Sequence, residues 1–186
     1  MNCVGGFQII IERLWCMTDN YYHCFSRDKK HIMETTTDFQ EIFQEKEFGY
    51  GLYFCIGKTE GIPNEFILLE RGSIELQQRG ACVLQLSMKP DVIILDMKNP
   101  MIIETIQRIK TQLKSKNQTA NIHDAQKLFI KRHMLPDKMV AVYAVDLQNP
   151  ITRKTYKTKV GFLLSGKPID MTSMKIVKLQ KEEQYE

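Results

Sequence analysis

Two short segments hold the residues whose types and spacing could do chemistry, Tyr21-Tyr22-His23-Cys24-Phe25 and Phe48-Gly49-Tyr50-Gly51-Leu52-Tyr53-Phe54. A neutral imidazole donates or accepts a hydrogen bond without adding charge, so His23 could orient a hydroxyl-bearing ligand. A tyrosine ring offers a rigid flat face, with stacking worth on the order of 1 kcal/mol beyond burial, which makes Tyr53 a candidate partner for a heteroaromatic ring. Gly49 and Gly51 allow close approach of backbone to a ligand. Each of these residues also has a plainer reading. A histidine in a strand is often a core residue satisfied by a neighbouring carbonyl, and two glycines can simply form a tight turn. Alternation sends Tyr53 and Phe54 to opposite faces, so one of them at most serves a ligand on a given face.

Those residues need elements to hold them. The aromatic run from Tyr21 to Phe25 lies between turn-forming residues and predicts a short strand. Phe39, Ile42 and Phe43 fall at i, i+3, i+4 and predict an amphipathic helix over 38–47, broken by Gly49 and Gly51 before a strand at 52–56. A further helix is expected over 63–78, then strands at 81–88 and 92–97. Pro100 opens a helix reaching Lys116, with Ile102, Ile103, Ile106, Ile109 and Leu113 on one face. A second covers 122–134, and strands follow at 139–147, 159–164 and 174–179. Strands on both sides of helices without regular alternation indicate an α+β fold with a split, mixed or antiparallel sheet and flanking helices. Residues 1–180 are expected to form one domain, with 181–186 as a frayed tail.

Much other chemistry is absent from the pattern. There is no Gly-x-Ser-x-Gly, phosphate loop, His-Glu-x-x-His or EF-hand spacing. Cys3, Cys16, Cys24, Cys55 and Cys82 are scattered, with no Cys-x-x-Cys pair and no histidine at zinc spacing, so no metal site and no disulfide framework is expected. Cys24, Cys55 and Cys82 lie in apolar or aromatic surroundings, where a thiol packs as a small hydrophobe. His31, His123 and His133 read as surface residues, and Asp91 and Asp96 as turn formers.

The order of the two aromatic segments, His23 on a strand and FGYGLYF ahead of the next, resembles the ADP-ribosyltransferase superfamily, particularly its poly(ADP-ribose)-polymerase and diphtheria-toxin branch. The likeness spans residues 21 to 97, with 81–88 standing where the family has its next core strand. It implies that His23 hydrogen-bonds the nicotinamide ribose of NAD and that Tyr53 stacks on the nicotinamide ring. It also implies that Cys24, in place of the family's glycine, presents its backbone to the nicotinamide amide, with Gly49 and Gly51 near the dinucleotide. The family's transferase glutamate belongs near the start of a late strand. Met174 stands there instead, and Asp170 is the closest acid, so the resemblance gives Asp170 the catalytic role.

What the resemblance implies, then, is an NAD-dependent glycosyltransferase that passes ADP-ribose to a macromolecular acceptor, protein or nucleic acid, as a toxin or effector acting in a cytosol. The alternative is a non-catalytic module of the same fold that binds a nucleotide, nucleic acid or protein. The net charge of +4 bears on the second reading, because Lys110, Lys114, Lys116, Lys127, Lys131, Arg132, Arg153, Lys154, Lys157 and Lys159 all fall in the later half. A solvated lysine-rich surface explains the same bias. The apolar run Phe7 to Ile11 is broken by Glu12 and Arg13, too short for a signal peptide or a membrane span, so a cytoplasmic protein without membrane contact is expected.

Overall fold

The computed structural model describes residues 20–26, 39–57, 81–116, 119–148, 153 and 155–178. These residues form an α+β fold around one mixed sheet. Its strands are β1 (Asn20–Ser26), β2 (Gln44–Lys46), β3 (Gly49–Gly57), β4 (Ala81–Met88), β5 (Ile93–Asp96), β6 (Met139–Gln148), β7 (Thr155–Leu163) and β8 (Ile169–Lys178). The helices are α1 (Pro100–Lys116) and α2 (Ile122–His133). The strand order is β5-β6-β7-β3-β1-β4-β8, with β2 added to β3. Every pairing is antiparallel except β5 with β6. The predicted helix over 63–78 and the tail 181–186 lie outside the described residues, and none of the described helices is long and apolar enough to cross a membrane.

The predicted helix over 38–47 is a correction. Phe39–Ile42 makes one turn of 3-10 helix, and the chain then extends into β2, whose Lys46 pairs with Gly49 in a tight hairpin. Phe39 and Ile42 are both buried, and their i, i+3 spacing suits a 3-10 turn as well as an α-helix. Past Ile42 the backbone finds partners in β3 rather than in itself. Gly49 adopts φ of +108°, a region that L side chains resist, so the turn needs glycine here.

The two faces of the sheet carry separate cores. On the first, Tyr53, Phe162, Ala141, Leu95 and Phe48 pack beneath the apolar stripe of α1 (Ile102, Ile106, Ile109) and beneath Ala125, Phe129 and Ile130 of α2. That stripe is the i, i+3, i+4 pattern read from the sequence. Asn121 caps α2 through its side chain, and Asp124 returns a bond to the cap in a capping box. On the second face lie Tyr21, Leu52, Phe54, Leu84, Leu86, Val140, Leu163 and Ile169, covered by Phe39 and Ile42.

Chain length requires this sheet to bend over its second face. β7 ends at Leu163 beside Leu52, whereas β8 begins at Ile169 beside Met88, with three strands between them. In a flat sheet the register would put these ends about 28 Å apart, from strand spacings near 4.8 Å and rises near 3.4 Å. Six peptide steps reach only about 20–22 Å. Bending brings Leu163 and Ile169 into one cluster, and the Pro168 carbonyl accepts from the Lys89 N–H at 2.9 Å.

Candidate functional site

β1 and β3 part company in the middle of the sheet. Their ladder runs only through Asn20–Gly57, Tyr21–Ile56 and Tyr22–Cys55. Beyond Tyr22, β1 continues on β4 through Ser26, while β3 continues on β7 back to Leu52. His23 stands at this fork. It is buried, 6% exposed, and its Nδ1 lies 2.5 Å from the Tyr53 carbonyl oxygen. Because a carbonyl can only accept, Nδ1 carries the proton and donates. The imidazole thus satisfies a strand carbonyl at the point where the β1–β3 ladder stops.

Tyr53 is 4% exposed and its ring packs against Phe162 at 4.7 Å between centroids. Its hydroxyl accepts from the Phe48 N–H at 3.1 Å and donates to the Gly49 carbonyl at 2.8 Å, bracing the β2–β3 turn. Burial pushes this phenol well above the ordinary tyrosine range; the Phe48 N–H opposes the shift, and the charges of Glu47 and Glu45 add to it. Tyr143 nearby is raised in the same direction, again chiefly by burial and then by Glu47. The Lys46 ammonium sits 5.3 Å from the Tyr53 ring centroid, so the ring already serves as a cation–π acceptor.

The register decides which predicted residues meet. His23 pairs with Leu84, a member of the second-face core, and Tyr53 pairs with Phe162 of the first. Cross-strand partners share a face. The two side chains therefore leave the sheet on opposite faces, and what joins them is the bond from the imidazole to the Tyr53 backbone. Gly51 makes its close approach to its own chain: a Cβ there would meet the Leu163 carbonyl at 2.3 Å and the Phe162 ring at 2.5 Å. Cys24 pairs through its backbone with Val83.

Asp170 is not brought to the fork. It opens β8 opposite Ser87, two strands from β1 and three residues along β4 from the level of His23. Measured along a flat sheet, that separates the two backbones by about 14 Å. The Asp170 carboxylate accepts from the Thr172 hydroxyl at 2.7 Å and from the Thr172 N–H at 3.0 Å, and these bonds hold it below the usual carboxylate range. The register of β4 and β8 shifts between Gln85 and Ser87, and Asp170 shapes the chain at this irregularity.

Most of the other assignments can be placed. Asp91 lies in a turn and Asp96 accepts from the Lys98 N–H in another; His123 is exposed, whereas His133 is half-buried with its ring 4.8 Å from that of Phe129, and Cys55 is a buried thiol on the first face. No cluster that could hold a metal ion occurs among the described residues. Sequence reasoning missed Lys46 and Phe162. For Phe162 a signal existed in the glycine before it: Gly161 sits inside a strand because the Phe54 ring lies where its side chain would be, at 2.1 Å. Comparison with known protein families, with curated proteins and with solved structures finds no match to this chain.

Proposed function

We propose that this chain is an ADP-ribosyltransferase-type protein that takes NAD as its substrate at the fork between β1 and β3. The observation that carries the reading is the fork itself, where His23 is fixed against the backbone of Tyr53 within the strand that follows Phe48 and bears GYGLYF. The cation over Tyr53 supports it further. The nicotinamide ring of NAD is a positively charged pyridinium, so a nicotinamide that displaced Lys46 would keep the cation–π contact that the ring already makes. In the reaction the bond from ribose C1′ to the nicotinamide nitrogen breaks, and its electron pair leaves with nicotinamide. A nucleophile of the macromolecular acceptor bonds to C1′ and loses a proton.

Such cleavage passes through an oxocarbenium-like state that gains from a nearby carboxylate, as in glycoside hydrolysis. Asp170 stands too far away to supply it. Loss of one charge-stabilising group costs about 3 kcal/mol, roughly a hundredfold in rate, while ground-state binding is spared. Transfer by this chain is therefore slow relative to its binding of NAD. Asp170→Ala leaves both NAD affinity, measured by calorimetry, and nicotinamide release unchanged.

A second reading, a non-catalytic module of the same type, is favoured by the opposite faces of His23 and Tyr53 and by the distance of Asp170. In that case the partner is a nucleotide, nucleic acid or protein met by the basic half. Calorimetric titration separates the two. Binding of NAD at millimolar concentration or better, with slow release of nicotinamide, supports the first reading. No binding and no nicotinamide leaves the second.

A further inference from the structure

Away from the fork, the described residues enclose a cavity of about 330 Å3 where the β7–β8 connection meets the 3-10 turn. That size is at the lower end of the range for small-molecule sites. Phe39 and Ile169, 2% and 0% exposed, form its floor, and Phe43 and Met171 are half-buried beside its mouth. Gly166 closes one side, since a side chain there would meet the Phe39 ring at 2.3 Å. The Phe43 ring is held edge-on to Tyr50 at 5.5 Å, which fixes its orientation.

Two cations line this apolar space, and they are not equivalent. Lys167 has its charge balanced by Asp137 at 2.8 Å. Lys89 instead places Nζ 2.6 Å from the Lys167 carbonyl, a neutral acceptor that uses one of its three hydrogens and none of its charge. No carboxylate is among the described residues that line the cavity. The result is a lysine at the rim of an aromatic pocket that forms no ion pair among the described residues, although its charge reaches the Asp170 carboxylate and helps to hold it low. A flat apolar body fits against Phe43, and the thioether of Met171 adapts to it. We propose that this cavity binds a small aromatic carboxylate, its anion on Lys89 and its ring against Phe43 and Met171.

The test is a titration of the 15N-labelled full chain with 2-naphthoate, and in parallel with 2-naphthalenemethanol, which has the same ring and no charge. Saturable shifts at Phe43, Lys89, Gly166 and Met171, with the acid binding more tightly than the alcohol, are expected. Lys89→Met removes the charge and keeps the apolar stem; it weakens the acid roughly fivefold, the upper end for a solvent-accessible ion pair, and leaves the alcohol unchanged. Phe43→Ala weakens both ligands in a chain whose spectrum remains folded. His23→Asn, which alters the fork and not the cavity, leaves the acid bound. Equal binding of acid and alcohol, no binding at millimolar concentration, shifts confined to other residues, or an unchanged affinity in Lys89→Met would each overturn the assignment.

Discussion

Replacing His23 tests whether the imidazole is what satisfies the sheet at its fork. In His23→Ala the Tyr53 carbonyl loses its donor while remaining beneath a residue only 6% exposed, so water does not easily take over. An orphaned buried acceptor costs about 1–3 kcal/mol, and the space left by the ring adds about 1 kcal/mol, for a total near 3 kcal/mol. For a chain of this size that corresponds to a melting temperature about 6–12 °C lower. His23→Asn is the informative companion, because its side-chain nitrogen falls near the place of Nδ1 and can donate to the same carbonyl. It recovers the hydrogen-bond part of the loss, about two-thirds. Urea unfolding followed by circular dichroism measures both variants from their midpoints at constant slope. A loss below about 0.5 kcal/mol in the alanine variant, or an asparagine variant no more stable than it, refutes the reasoning.

Tyr53 links stability to alkaline pH. Its hydroxyl is held above the ordinary tyrosine range in the folded chain, so unfolding releases a proton once pH exceeds the unfolded value near 10. The stability it contributes is complete below that pH and lost above it. The urea midpoint therefore falls as pH rises past about 10, and Tyr53→Phe shows a shallower fall, with the remainder due to Tyr143. Gly51→Ala drives a methyl into the Leu163 carbonyl and the Phe162 ring, and costs at least about 2 kcal/mol by urea unfolding; a neutral result would mean that β3 and β7 are not so closely apposed.

Part of this molecule was legible from local pattern. The apolar stripe of α1 and the strands at 81–88 and 139–147 appear close to where hydrophobic period and β-branched runs placed them, because burial of one face imposes its own period on the sequence. The same argument separated Tyr53 from Phe54 by face, and Phe54 indeed belongs to the second core and Tyr53 to the first. The start of β8 was harder to see, since Ile169 to Thr172 contains no apolar run and is held in the sheet by Met88 and Ser87.

Other features were decided only in three dimensions. Phe39, Ile42 and Phe43 carry a helical spacing, yet the residues after them pair as β2, because β3 offers a strand edge that one short segment cannot announce. Whether His23, Tyr53 and Asp170 share a site depends on register and strand order, which set the face and level of each residue through partners far along the chain. Local sequence fixes each strand's alternation but not which strand lies beside it. For that reason the imidazole could be read from the sequence as a hydrogen-bonding group, while its acceptor, the carbonyl of Tyr53 thirty residues on, could be assigned only once β1 and β3 had met and parted.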